Sequence, residues 1–233
     1  MNNEEKALER MIEAKNYTDW LFESAKPYLK GKVLEIGCGI GNMTKLLIRE
    51  KIDLTASDNN ENYIQDIKTV YDGLNAFCFD ISKGALENKA DSFDTILCFN
   101  VLEHIEDDIT ALKNINKFLR PEGKLILFVP ANPWLFNSLD KEVNHYRRYS
   151  KSSLIKKVRD AGFIIKEQRK VNFLGVFGWF FYGHILKKKI LSKTGISIFD
   201  KISPMLFKLE KIIQPPIGLS LWLVCEKKST LKK

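Results

Sequence analysis

A carboxylate and three glycines stand together in Val33-Leu34-Glu35-Ile36-Gly37-Cys38-Gly39-Ile40-Gly41, where an apolar run gives way to a tight turn and then to the helical spacing of Asn42 to Glu50. Glycines at such a junction let the chain turn sharply and let a ligand press on the backbone, and the helix behind them offers partial positive charge. Two chemistries are disfavoured by what is missing. A dinucleotide fingerprint wants a glycine where Asn42 stands, and a phosphate-cradling loop wants Gly-Lys-Ser/Thr, which is absent. Glu35, two residues before Gly37, would repel a phosphate and favours a ligand that is cationic or rich in hydroxyls. For proton transfer the chain holds three imidazoles, His104, His145 and His184.

The elements that would carry these residues follow from the spacing. Residues 4–30 read as one or two leading helices ending near Pro27 and Gly31, and Lys32 to Ile36 as a strand feeding the glycine turn. Strands are then expected at Leu54 to Ser57, Ala76 to Phe79, Phe93 to Phe99 and Lys124 to Val129, with helices at Glu61 to Tyr71 and Asp107 to Leu119 between them. Asp58, Asp80 and Asn100 each close one of these strands. Alternation at this spacing implies a doubly wound α/β fold, a parallel sheet with helices on both faces, which binds ligands at the C-terminal ends of its strands. Further on, Ser152 to Ala161 reads as a helix, and Phe163 to Val171 and Ser220 to Glu226 as strands. Between those two strands lies an aromatic, Lys-rich insertion, residues 172–219, in which Leu206 to Ile213 reads as a helix.

The run Val33 to Gly41 resembles the first motif of the class I S-adenosylmethionine (SAM)-dependent methyltransferases, hydrophobic-hydrophobic-Asp/Glu-hydrophobic-Gly-x-Gly-x-Gly. The resemblance extends to the Leu119-Arg120-Pro121-Glu122-Gly123 turn and so covers roughly residues 31–130. It implies a mostly parallel, seven-stranded Rossmann-like sheet and SAM as cofactor. By the same resemblance Gly37 and Gly39 pack against the cofactor and Glu35 orders its amino acid part. Asp58 would meet the ribose hydroxyls, Asp80 with Ile81 the adenine, and Asn100 the methionyl end. The division implied is a helical extension, residues 1–30, ahead of a methyltransferase domain, residues 31–233. A nicotinamide oxidoreductase on a similar sheet is the rival reading, which Asn42 argues against; a SAM-binding protein without turnover is another.

Methyl transfer to a hydroxyl needs a base, and His145 is the candidate. It lies in Asp140-x4-His145-Tyr146-Arg147-Arg148-Tyr149-Ser150, after the fifth strand, in the loop that closes over the acceptor in this fold. The phrase is similar to a segment of bacterial methyltransferases of glycan and glycosyl-lipid pathways, as are Asn172 to Gly175, Gly178-Trp179 and Pro215 to Ser220. The acceptor implied is a small molecule or lipid-linked glycan, held through Tyr146, Arg147 and Arg148, the arginines matching a phosphate or carboxylate. Alternatively the arginines tie this loop to the acidic N-terminal part. Some relatives hold a divalent cation with Glu-x-x-Glu-His and a distant His. Here Asn100 replaces the first Glu, so no metal is expected, although Glu103, His104 and His145 retain ligand atoms.

Composition bounds the setting. The 233 residues are 45% hydrophobic and 28% charged, an ordinary globular balance, and the polar start MNNEEKALER has no apolar core of a signal peptide. Four scattered cysteines without a C-x-x-C pair suit a reducing cytoplasm. The net +8 is uneven: residues 1–140 hold 16 Lys and Arg against 23 Asp and Glu, and residues 141–233 hold 21 against 6. Within 172–213 six aromatics are followed by Lys187-Lys188-Lys189. Peripheral contact with the inner face of a membrane is the first expectation for this segment, a homodimer face or lid the second, and nucleic acid the last.

Overall fold

A computed structural model describes residues 9–84 and 89–229. Helix α1 (Lys15–Ala25) and a short 3-10 turn lead to β1 (Lys32–Ile36), α2 (Asn42–Arg49), β2 (Asp53–Asp58), α3 (Glu61–Val70) and β3 (Asn75–Cys78). Then come β4 (Phe93–Phe99), α4 (Asp108–Phe118), β5 (Leu119–Pro130), the short α5 (Ser138–Glu142), α6 (Lys151–Asp160) and β6 (Phe163–Val171). Helix α7 (Phe173–Phe180) runs into a π-turn over Phe181–Ile185, α8 (Lys193–Ile213) follows, and β7 (Ser220–Lys227) closes the series. The strands form one sheet in the order β3-β2-β1-β4-β5-β7-β6, with β7 antiparallel to both neighbours and the other pairs parallel. The order reverses between β1 and β4, and such a switch point opens a crevice at the strands' C-terminal ends.

Alternation along the strands builds two cores. Leu34, Leu125, Leu127 and Leu223 face α4 and α6, whereas Val33, Ile126, Phe128 and Trp222 face α1, α2 and α8. Cys38, Cys98 and Cys225 are buried, and Cys78 is exposed. Among the described residues no helix is long and apolar enough to cross a membrane.

Three expectations are redrawn. Strand β5 begins at Leu119, because the Pro121 to Gly123 turn is an irregularity inside the strand: Phe93 pairs with Leu119, and Thr95 only with Lys124. The helix expected over Leu206 to Ile213 is the last third of α8, which runs through Pro204. Proline removes a backbone donor, and the freed carbonyl is that of Asp200. It accepts instead from Asn16 Nδ2 at 3.1 Å and from Ser203 Oγ at 3.0 Å. The leading helical stretch resolves into a helical piece at residues 9–11 and, after a turn, α1; its residues 4–8 lie outside the described residues.

Helices α1 and α8 are bound by a polar latch. Ala14, at the N-cap of α1, has no capping side chain, so the first amides of that helix lack local partners. The buried Asp200 supplies them from 184 residues away, accepting from Asn16 N at 3.2 Å and Tyr17 N at 2.9 Å.

Candidate active site

The crevice at the switch point is a cavity of about 510 Å³. Its floor is made by the turns leaving β1, β2, β3 and β4: Gly37, Gly39, Asp58, Asp80, Ile81 and Asn100 all line it. Gly37 has φ +75°, and a Cβ there would stand 2.2 Å from Val101 Cγ2, so the turn admits only glycine without rearrangement. Gly41, with φ +86°, starts α2. The carboxylate of Asp58 accepts from Gly39 N at 2.8 Å and Asn60 N at 2.9 Å, which fixes the glycine turn and leaves lone pairs for a ligand's hydroxyls. Asp80 accepts from Ser82 N and Oγ; burial raises its carboxyl, and these bonds together with Lys83 outweigh that and hold it low. A cationic, hydroxyl-bearing ligand is complementary to this acidic floor.

Glu35 stands differently. It is not among the lining residues; its buried Oε2 accepts from Thr44 Oγ1 at 2.7 Å, tying β1 to α2 across the turn. Burial pushes its carboxyl up to about 8, against the pull of the Thr44 bond. It stands behind the turn, against α2, rather than on the cavity surface.

The cavity wall is built around Asp140. The side chain of Asn137 caps α5 in a capping box with Asp140, which puts that carboxylate inside the fold. Asp140 then accepts from His145 Nδ1 at 2.9 Å, Arg148 Nε at 2.8 Å and Trp179 Nε1 at 3.2 Å. Burial raises its carboxyl, but His145 and Arg148 prevail and hold it below the ordinary range. An ionised carboxylate can only accept, so Nδ1 carries the proton and Nε2 keeps its lone pair in the neutral ring. His145 Nε2 lies 3.8 Å from Glu103 Oε1, and both residues line the cavity.

Glu103 is wholly buried, and neither of its oxygens has a hydrogen-bond partner among the described residues. Burial pushes its carboxyl up to about 7, with His145 pulling the other way. His104 packs edge-on against His145 with ring centroids 4.7 Å apart, and burial helped by that neighbour pushes it down to about 4. Glu103, His104 and His145 each offer one ligand atom, all within 4.8 Å of one another.

The candidate acceptor residues separate. Arg148 lines the cavity, buried between Asp140, the Ala131 carbonyl and the face of Trp179 at 4.5 Å. Tyr146 is exposed, and Arg147 pairs with Asp108 at 2.8 Å and with the Glu106 carbonyl; neither lines the cavity. The roof comes from distant parts of the chain: Met11 and Tyr17 near α1, Trp179 and Tyr182 around α7, Ile196 and Phe199 of α8. Sequence reasoning missed Asp140 and Trp179 as site residues. Asp140 was legible in its spacing from His145, whereas Trp179 was marked only by the Gly178-Trp179 resemblance, which assigns it no role at the site.

A family model described as a methyltransferase domain matches residues 7–168, more than half of the chain. A ubiquinone biosynthesis O-methyltransferase of Coxiella burnetii is 28% identical over 151 residues, 58% of this chain and 64% of that protein. An uncharacterised protein of Methanocaldococcus jannaschii is 32% identical over 158 residues, 66% of this chain and 62% of that one. The chain thus spans less than two thirds of the length of these curated relatives. Among solved structures, a SAM-dependent methyltransferase from Archaeoglobus fulgidus superposes with a TM-score of 0.58 at 17% identity, over 90% of this chain and 94% of that one.

Proposed function

We propose that this chain, which belongs to the class I SAM-dependent methyltransferases, methylates a hydroxyl oxygen with His145 as general base. The observation that carries the reading is the 2.9 Å bond from His145 Nδ1 to Asp140, which leaves Nε2 free to take a proton. SAM supplies an electrophilic methyl group that needs no further activation. The chain's own task is to hold the cofactor, align the acceptor and remove its proton. Asp58 would take the ribose, Asp80 and Ile81 the adenine, and Gly37, Gly39 and Asn100 the rest of the cofactor along the floor. Nε2 of His145 takes the acceptor proton, and Asp140 stabilises the imidazolium that results. Apolar roof residues such as Phe199 and Ile196 keep water out.

An anionic acceptor, such as a glycan phosphate or a lipid-linked sugar, is supported by the cations among the cavity's lining residues, Arg10, Arg148 and Lys189. The resemblance to an O-methyltransferase supports oxygen over nitrogen. Single-turnover assays with labelled SAM and a panel of phosphorylated and lipid-linked glycans test the reading. His145→Ala is expected to lower kcat by about 10²-fold or more with unchanged affinity for S-adenosylhomocysteine. Unchanged kcat would remove His145 from the reaction, and cofactor binding without turnover of any acceptor would favour a SAM-binding regulator.

The partnerless Glu103 favours a second reading, in which Glu103, His104 and His145 hold a divalent cation that polarises the acceptor hydroxyl. Chelation with EDTA separates the two: activity persists if His145 acts as a base and disappears if a cation is required.

A further inference from the structure

Helix α8 carries two apolar stripes on opposite sides. Ile196, Asp200, Ser203 and Phe207 are buried on the inner side, where Asp200 holds α1 and Ile196 and Phe207 enter the core. Ile198, Ile202, Met205, Leu209, Ile212 and Ile213 fall within roughly a third of the helix circumference on the outer side. All six are exposed, Met205 by 69% and Ile212 by 81%. A helix at the surface of a soluble domain needs only its inner stripe. Helix α7 and its π-turn add Leu174, Phe177, Phe181 and Ile185, also exposed.

Two contacts show how these helices lie. Glu210, near the end of α8, accepts from the Asn172 and Phe173 amides where α7 begins. Gly195, near the start of α8, sits by Tyr182 at the far end of α7, where a Cβ would be 3.3 Å from the tyrosine hydroxyl. The helices therefore run antiparallel, side by side.

Charge decides what covers this face. Residues 172–217 hold seven lysines and two acids, and both acids are engaged with backbone amides, Asp200 at α1 and Glu210 at α7. All seven lysines are exposed, and Lys187, Lys188, Lys201, Lys208 and Lys211 form no ion pair with another described residue. A second copy of the chain would bring the same lysines to a twofold contact, setting like charges against each other. Anionic lipid offers both an apolar layer and opposing charge.

We propose that the outer faces of α7 and α8 dock on an anionic bilayer surface. The apolar stripes enter the headgroup layer and the lysines meet lipid phosphates. The inner sides of the same helices roof the cavity through Trp179, Tyr182, Ile196 and Phe199, so docking sets the cavity against the bilayer. This docking is independent of which atom accepts the methyl group.

Flotation of the full chain with vesicles of phosphatidylcholine alone, and with about a third phosphatidylglycerol added, tests it. The expected result is binding only to the anionic vesicles, weakened at least roughly tenfold by high salt. The double variant Lys201→Glu, Lys208→Glu, at lysines that flank the outer stripe, should lose on the order of a hundredfold in partitioning, and Met205→Asp with Ile212→Asp a similar amount. Calorimetry with S-adenosylhomocysteine shows that these variants remain folded; should either misfold, the salt and lipid dependence of the unaltered chain still decides. Equal or absent flotation with the two vesicle types overturns the proposal. So does a sedimentation-equilibrium dimer that binds neither, which would assign the face to self-association.

Discussion

The bond from His145 to Asp140 and the orphaned carboxylate of Glu103 are opposite solutions to burying charge. Asp140 is satisfied by three side chains, one of them the buried cation Arg148, so removing its charge strands a guanidinium. Asp140→Asn is expected to cost about 3 kcal/mol in urea unfolding. It should also lower kcat, because an amide no longer fixes the His145 tautomer. Glu35 and Glu103 are buried and, among the described residues, neither is hydrogen-bonded to a cationic side chain; their carboxyls are raised to about 8 and about 7. A raised acid favours the folded state below its unfolded value and loses that contribution as pH climbs through the folded one. Stability should therefore fall from pH 5 to pH 9 in the absence of cofactor, and Glu35→Gln, which keeps the Thr44 bond, should flatten the upper part of that fall. Melting curves across this range would refute the assignment if the variant tracked the parent. His104 acts at the other end: pushed down to about 4, it withdraws stability as pH drops from its usual range toward 4.

At the scale of elements, the latch between α1 and α8 makes a roof out of two helices that share no local sequence. Asp200→Ala leaves the first amides of α1 without acceptors and should cost about 1–2 kcal/mol, measured by chemical denaturation. It should also weaken S-adenosylhomocysteine binding, since Tyr17 lines the cavity from the helix so held. Pro204→Ala should change stability by less than about 1 kcal/mol rather than the roughly 3 of a proline in a helix interior, because the Asp200 carbonyl already has two donors. These relations also mark where reading the chain ran out. The strands from β1 to β4 and the floor residues were legible, because a strand ending in Gly, Asp or Asn states its position and its chemistry together. Asp200 and the upstream two thirds of α8 were not, nor was the role of Trp179, because their partners lie far along the chain and a proline ordinarily ends a helical pattern. Arg147 and Arg148 looked alike in sequence, and only packing separates the one at Asp108 from the one beside the cavity.

Over the whole molecule, the cavity joins a floor from the sheet to a roof from both flanks, so a ligand within it touches both. Binding of S-adenosylhomocysteine should slow amide hydrogen exchange in residues 15–25 and 193–213 as well as in the glycine turn. Protection confined to the turn would show that the roof takes no part in holding the cofactor. The uneven charge has the same division: the floor is acidic, and the excess of cations lies in the later part of the chain that supplies α7 and α8.

The place of β7 between β5 and β6 bears on how the protein is made. While a ribosome synthesises the 48 residues from Asn172 to Leu219, β6 has no partner and β5 shows a bare edge. At ordinary translation speeds that interval lasts about 2–10 s, long compared with the time in which unpaired strands find wrong neighbours. During it the nascent chain also displays the aromatics of α7, and the sheet closes only when the strand that carries Trp222 emerges.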